Sequence, residues 1–385
     1  MRLLVYDDQI YRRNGSELWT ERTLPVFAAE LGPTLGQVIL LGRFDSQEGT
    51  WNFQLPRETG FVALPHYGSL SNPVGVAAAA GRSVRAFWLA LGGADAVLLF
   101  GPHPFGLVFA ALAALRRRPV TLGVRQELRN YVRSRHPRSR GLRLAADLLE
   151  WSWRALARVV PVVVVGPALG RQYARSRRLL VLHVSTIRAG DIVQPGPDAG
   201  SWDGELQILS VGRLDAEKNP LLLADVLARL NAGSPRWRMV ICGAGPLESA
   251  LVDRVRELGV EDRVELAGYV PAGERLNAVY RASDVFLHVS WTEGVPQVLF
   301  EAFAAAVPVV ATAVGGVPDA VAGGAALLVA PGELEPPVRE LERLAEEPEL
   351  RRRLVERGLE TVREHTVEQE IGRLAEFLQA VSRRA

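Results

Sequence analysis

The chain alternates short runs of β-branched and other apolar residues with longer stretches whose apolar positions recur at helical spacing. Strand-like runs fall at Leu3–Tyr6, Val38–Leu41, Ala96–Phe100, Val120–Val124, Val160–Val165 and Leu179–Val184. Helix-like stretches such as Glu17–Leu31, Pro104–Arg117 and Leu142–Ala157 lie between several of them. This alternation predicts a parallel sheet with helices on both faces. It stops between Ile187 and Glu205, where Gln194-Pro195-Gly196-Pro197-Asp198-Ala199-Gly200-Ser201 has the composition of a linker. It then restarts at Leu206–Val211, Trp237–Cys242, Val264–Leu266, Val285–Val289, Val309–Thr312 and Ala326–Val329. The expectation is an α/β protein of two doubly wound, Rossmann-like domains facing a cleft. The first covers 1–187, a linker 188–205, and the second 206–365. A C-terminal helix, 366–385, is expected to pack back toward the first domain. Ligands in such sheets bind beyond the carboxyl ends of the strands.

Composition narrows the class. A length of 385 residues allows two or three domains, each able to bury its own core. Hydrophobic content of 48% and charged content of 23% are ordinary for a soluble globular chain. The single cysteine, Cys242, excludes an internal disulfide and a multi-Cys zinc site. His66, His136, His183, His288 and His365 show no metal-ligand spacing, so no metal is expected. The segment Met1-Arg2-Leu3-Leu4-Val5-Tyr6-Asp7-Asp8 turns acidic too early for a signal peptide. No apolar run approaches the roughly 18 residues of a spanning helix. The longest are Phe105–Leu115 and Val159–Gly170, the latter reading as a buried strand and a turn around Pro161 and Pro167. A cytoplasmic protein is expected.

Net charge is only +2, which argues against a nucleic-acid partner, but it is unevenly placed. Between Arg116 and Arg158 twelve Arg face Glu127, Asp147 and Glu150, a local charge of +9, leaving −7 for the remainder. Such a stretch attracts anionic partners, including the inner face of a membrane, where the protein is expected as a peripheral visitor. The segment Leu148-Leu149-Glu150-Trp151-Ser152-Trp153-Arg154 combines aromatic and basic residues in a way that suits a membrane surface. The competing reading is a solvated Arg-rich loop and a helix whose tryptophans face the core.

The candidate chemistry lies in the second half. Among 45 Lys+Arg the chain has one lysine, Lys218, in Gly212-Arg213-Leu214-Asp215-Ala216-Glu217-Lys218-Asn219-Pro220, just after an apolar run. A strand entering a turn there, with a compact ammonium beside a guanidinium, suits phosphate. The second segment is Trp291-Thr292-Glu293-Gly294-Val295-Pro296-Gln297-Val298-Leu299-Phe300-Glu301-Ala302. Gly294 admits a ligand close to the backbone, and Pro296 suits the first turn of a helix whose free N–H groups hold phosphate or sugar oxygens. Glu293 and Glu301 accept hydrogen bonds, which suits hydroxyls. Together they read as a site for a molecule with hydroxyls at both ends and phosphates between.

Glu293 and Glu301 with seven residues between them, together with Gly212-Arg213-Leu214 and Glu217-Lys218, resemble the retaining nucleotide-sugar glycosyltransferases of family 4, of hexosyltransferase type and GT-B fold. Gly243-Ala244-Gly245-Pro246-Leu247, Leu266-Ala267-Gly268-Tyr269-Val270 and Val314-Gly315-Gly316-Val317-Pro318-Asp319 fit the same pattern, so the resemblance spans about Leu206 to Val321. It implies that Arg213 and Lys218 hold the donor diphosphate. It places the transferred sugar on Glu293 and the backbone of Gly294, Val295, Pro296 and Gln297, with Val298 alongside. Glu301 then takes the ribose, and Gly268, Tyr269 and Val270 border the base. Glu293, Arg213 and Lys218 become the catalytic group, with Gly243 also at the donor. A UDP- or GDP-sugar is the implied donor, a sugar, lipid or small molecule the acceptor, and no cofactor is required.

The first half departs from that family. Where paired glycines are usual after the first strand, only Gly15 in Asn14-Gly15-Ser16-Glu17 is left to admit a donor oxygen. Where a sugar-facing His is common, Arg125 stands, and an always-charged group cannot act as a base. His103, in Gly101-Pro102-His103-Pro104, is the nearest histidine; it and Arg125 are the acceptor-side candidates. Gly243-x-Gly245 begins a dinucleotide fingerprint, but Glu248 stands where its third glycine belongs. A nucleotide-sugar epimerase on the same fold and a catalytically silent nucleotide-sugar-binding protein are the alternatives.

Overall fold

The computed structural model describes residues 1–47, 51, 53–68, 73–135, 139–194, 202–233 and 236–383. Part of the expected linker (195–201) and His136, Pro137 and Arg138 of the basic stretch lie outside them. The chain forms two compact units, Met1–Thr186 with Val367–Ala385, and Ile187–Thr366.

The first unit holds strands β1 (Arg2–Asn14), β2 (Glu17–Thr20), β3 (Gln37–Phe44), β4 (Phe53–Gln54), β5 (Gly60–Leu64), β6 (Ala96–Gly101), β7 (Val120–Val124), β8 (Val162–Val165) and β9 (Leu179–Leu182). The parallel part of the sheet runs β5-β3-β1-β6-β7-β8-β9, reversing direction between β1 and β6. Its central strands, the first half of β1 with β6, β7 and β8, are buried on both faces. Leu4 and Tyr6 enter one core layer, Leu3 and Val5 the other. This is why the runs read as continuously apolar.

The helix expected over Glu17–Leu31 is instead a strand and a shorter helix, Thr23–Ala29. β1 continues past Tyr6 and returns as an antiparallel hairpin, Tyr11 pairing with Thr20 and Asn14 with Glu17. Gly15, at φ +58°, makes the two-residue turn. Gly15 therefore sits exposed at a hairpin tip, not in a loop at the end of the parallel strands.

Among the described residues one helix, Val74–Leu91, is long and apolar enough by length and composition to cross a membrane, contrary to the expectation of none. Arg82 and Arg85 interrupt its apolar run in the sequence. Ala79, Phe87 and Leu91 on this helix are buried in a core layer of the sheet, Phe87 stacking on Phe109 at 4.1 Å. The helix Val367–Ser382 buries Val367, Ile371, Leu374, Ala375 and Leu378 beside Leu3, Val5 and Val163. These five positions form one helical face. Arg373 donates to the Val181 carbonyl at 2.8 Å, fixing the helix along β9.

The second unit holds β10 (Leu206–Val211), β11 (Trp237–Cys242), β12 (Val264–Gly268), β13 (Val285–His288), β14 (Val309–Thr312) and β15 (Ala326–Val329) in the parallel order β12-β11-β10-β13-β14-β15. Its strands also alternate between two core layers, with Ile208, Met239 and Leu287 on one side and Leu209, Val240 and Phe286 on the other. The order reverses between β10 and β13, so the crevice that collects ligands in such sheets opens beside Val211 and His288.

Candidate active site

At that reversal point the loops leaving β10, β11 and β12 are strapped together through their backbones. Gly212 N–H donates to the Cys242 carbonyl at 3.0 Å, Leu214 N–H to Ala244 at 3.0 Å, and Gly243 N–H to Gly268 at 2.7 Å. A Cβ on Gly243 would sit 1.8 Å from the Gly212 carbonyl oxygen, and one on Gly245 2.5 Å from that of Leu214. The Gly-x-Gly pair is thus explained by loop packing, which is why only half of a dinucleotide fingerprint occurs.

The β10 loop next forms a 3-10 turn, Ala216–Lys218. Asp215 caps it, accepting from Lys218 N–H at 3.3 Å, and Asn219 ends it in the left-handed region at φ +53°. Asn tolerates this conformation better than most residues. The Glu217 carbonyl accepts from Trp291 N–H at 2.8 Å, tying the turn to the loop after β13. Lys218 Nζ then reaches Glu293 Oε1 at 2.5 Å. His288 Nε2 lies 2.9 Å from the same oxygen, off the line of a good hydrogen bond. Burial would raise the Glu293 pKa, but His288 and the Lys218 charge outweigh it and hold the carboxyl at about 2. The cavity lined by Ser210, Gly212, Arg213, Lys218, His288 and Ser290 is only about 20 Å³. Arg213 is largely exposed and pairs with Asp215 at 2.7 Å and Glu217 at 3.5 Å.

Glu293 is clamped from below. Gly315, at φ +52°, has no room for a Cβ, which would fall 1.8 Å from the Glu293 carbonyl oxygen. Gly316 would place its Cβ 2.1 Å from the Gly294 carbonyl. Pro296 proves to be the residue before the helix Gln297–Ala304 and not within its first turn; its ψ of 119° is extended. The amides of Gln297 and Val298 open the helix, where intrahelical acceptors are lacking. One turn in, Glu301 accepts from the buried Tyr280 hydroxyl at 2.8 Å. Burial of its carboxyl raises the Glu301 pKa, and that hydrogen bond offsets part of the rise. Of the stretch expected at the base, Tyr269 is exposed and Gly268 turns at φ +64°, whereas the Val270 side chain is buried in the core. Only the Val270 backbone is left for a ligand.

The first unit has its own polar centre at the β1/β6 reversal. Asp7 and Asp8 lie within β1 there, where its register with β3 shifts between Tyr6 and Ile10, and His103 opens the helix Pro104–Leu115 after the Gly101–Pro102 turn. Phe105 N–H donates to His103 Nδ1 at 3.2 Å, so that nitrogen is the acceptor and Nε2 carries the proton. Nε2 faces Asp8 Oδ2 at 3.2 Å. Tyr67 donates to Asp8 Oδ1 at 2.5 Å, and Arg43 Nε lies 3.2 Å from that oxygen. Burial opposes ionisation of Asp8, but His103, Arg43 and Tyr67 lower its pKa overall. His103 is therefore spent as a helix cap and as the partner of a carboxylate. Burial raises the pKa of neighbouring Asp7, against the charge of Arg125, whose Nη1 is 4.0 Å away. Arg125 also donates to the Gln9 amide oxygen at 2.5 and 2.6 Å, once that amide is oriented to satisfy both. Asp7, Asp8, Gln9, Arg43, His103 and Arg125 border a cavity of about 320 Å³. Gly15 is not among its lining residues.

Sequence reasoning missed Asp7, Asp8, Arg43, Tyr67, Tyr280 and the part played by His288. A pair of acids directly after the first predicted strand was the available signal for Asp7 and Asp8.

Comparison with known proteins bears on the second half: residues 197–361 match the family model of group 1 glycosyl transferases. The D-inositol 3-phosphate glycosyltransferase of Corynebacterium glutamicum is 40% identical over 128 residues, 32% of this chain and 30% of that protein. The chain spans about 30% of the length of the first curated relatives it matches. Among solved structures, sucrose-phosphate synthase from Thermosynechococcus elongatus superposes with a TM-score of 0.74, covering 100% of both chains at 18% identity. Anabaena HepE in complex with UDP gives 0.72, covering 99% of this chain and 100% of that one at 17% identity. The fold is GT-B, built from two Rossmann-like domains.

Proposed function

We propose that the protein is a retaining glycosyltransferase that moves a sugar from a UDP- or GDP-sugar to a sugar, lipid or small-molecule acceptor. The observation that carries this reading is the sole lysine, Lys218, held 2.5 Å from Glu293 at the reversal point of the second sheet. With donor bound, Lys218 and Arg213 take the diphosphate, the amides after Pro296 take further oxygens, and Glu293 turns to the sugar hydroxyls. Glu301, oriented by Tyr280, takes the ribose. As the bond between the anomeric carbon and the diphosphate oxygen stretches, the sugar becomes oxocarbenium-like and negative charge grows on the diphosphate. Fixed cations and helix amides stabilise that charge without reorganising. His288 keeps a partner on Glu293 while Lys218 is drawn to phosphate. The UDP complex of HepE supports the nucleotide class. In this reading the enzyme is cytoplasmic and visits the inner membrane face through its Arg-rich 116–158 stretch.

Thermal unfolding with millimolar UDP, with GDP and without nucleotide tests the donor site. A ligand at about a hundred times its Kd stabilises by roughly 2.7 kcal/mol. A shift with one nucleotide is expected, and no shift with either overturns the assignment. Conversion of a donor sugar incubated without acceptor would instead favour an epimerase. Binding without transfer or hydrolysis, whatever the acceptor, would favour a silent binding protein.

A further inference from the structure

The helix Arg140–Leu156 has two apolar faces. One is core: Ala146 and Trp153 are buried, and the Trp153 indole lies so close to Gly101 and Gly106 that a Cβ on either would fall 2.6 Å from it. On the other face Leu144, Leu148 and Trp151 are 61%, 58% and 68% exposed. Their spacing of four and three residues lines them in one stripe, roughly 10 Å long at 1.5 Å per residue. Trp151 and Trp153 thus split between solvent and core, where the sequence offered both to one or the other.

Charge indicates what meets this stripe. Arg140, one turn before Leu144, is exposed on the same side, and Arg158 is exposed just past the helix end. The acids nearby are already answered. Arg129 and Arg133 reach Asp147 at 2.8 and 3.6 Å, and Arg154 reaches Glu150 at 3.1 Å. The stripe therefore lies in positive surroundings. A second copy of the chain would bring the same positive field against it, and a soluble polyanion has no use for exposed Leu and Trp. An anionic bilayer answers both, taking apolar side chains at the acyl boundary and guanidinium groups among its headgroups. Trp favours that interface.

We propose that this helix is the membrane-docking element of the protein, with Leu144, Leu148 and Trp151 inserting into an anionic lipid surface and Arg140 and Arg158 among the headgroups. The inference deepens the part of the proposed function that brings the protein to a membrane, and it does not rest on the donor chemistry.

The test is co-sedimentation of the full chain with vesicles of phosphatidylcholine alone and with about one third phosphatidylglycerol, at low and physiological salt. Binding to the anionic vesicles that weakens with salt is expected, with little to the neutral ones. The exposed triple variant Leu144→Ser, Leu148→Ser, Trp151→Ser should bind at least about tenfold more weakly. Its nucleotide-induced thermal shift should match that of the parent. Absence of parent binding to anionic vesicles, or equal binding by the variant, overturns the proposal. So does a dimer in sedimentation velocity that the triple substitution dissolves, since a second copy would then be the occupant. Loss of the nucleotide shift in the parent would count against the donor reading and leave the vesicle result to stand on its own.

Discussion

Removing either partner of the Lys218–Glu293 pair should destabilise the second unit, and removing both should cost less than the sum. The Glu293 side chain is only 8% exposed and that of Lys218 23%, so their contact is well shielded from water. A hydrogen bond to a charged group contributes about 1.5–3 kcal/mol. His288 Nε2 lies 2.9 Å from the same carboxylate oxygen and a small ring rotation would align it after Lys218→Ala, so the coupling should fall in the lower half, about 2 kcal/mol. A double-mutant cycle of Lys218→Ala and Glu293→Gln, followed by calorimetry and urea unfolding without nucleotide, measures it. Two units need not unfold together, so the transition compared is the one that nucleotide shifts. Coupling below about 0.5 kcal/mol would refute the claim that this pair is a structural contact. If Lys218 also meets the donor diphosphate, the same energy range predicts that Lys218→Ala slows transfer by one to two orders of magnitude.

The Glu293 carboxyl moves from an ordinary 4.5 down to about 2 on folding, worth about 3 kcal/mol at 1.36 kcal/mol per pH unit. Its folded pKa is depressed, so this stabilisation is complete above 4.5 and fades as pH falls toward 2. Subtracting the Glu293→Gln unfolding profile from that of the parent between these limits should reveal it, and parallel profiles would contradict it. Gly315→Ala should destabilise by more than about 2 kcal/mol, since the new Cβ meets the Glu293 carbonyl at 1.8 Å with φ at +52°. Gly294→Ala, with no atom within 4 Å, should leave the unfolding temperature nearly unchanged.

Much of the second unit was legible because its strands are short apolar runs that feed two core layers. Leu206–Val211, Trp237–Cys242, Val309–Thr312 and Ala326–Val329 begin and end where the pattern does. The hairpin of β1 and β2 was not, because Asp7-Asp8-Gln9-Ile10-Tyr11-Arg12-Arg13-Asn14 is largely polar and its strand character comes from pairing with β2 and β3. Asp7 and Asp8 mean little until strand order places them at a reversal point, a tertiary fact. The role of His288 depends on a side chain five residues away turning back to meet it. Trp151 and Trp153, by contrast, could have been separated from the sequence alone. Two residues apart on a helix stand about 200° apart, so one core face cannot hold both.

The helix Val367–Ser382 belongs to the first unit, although the whole second unit precedes it in the chain. During synthesis, residues 1–186 leave the ribosome long before the apolar face that covers Leu3, Val5 and Val163 exists. The usual order, in which the N-terminal domain folds first, cannot be completed here. The nested unit, Ile187–Thr366, has all its own strands and can finish earlier, while its predecessor waits with an open apolar trench. That interval is when a nascent chain of this protein has most need of a chaperone, and a messenger cut short before codon 367 would make the trench permanent.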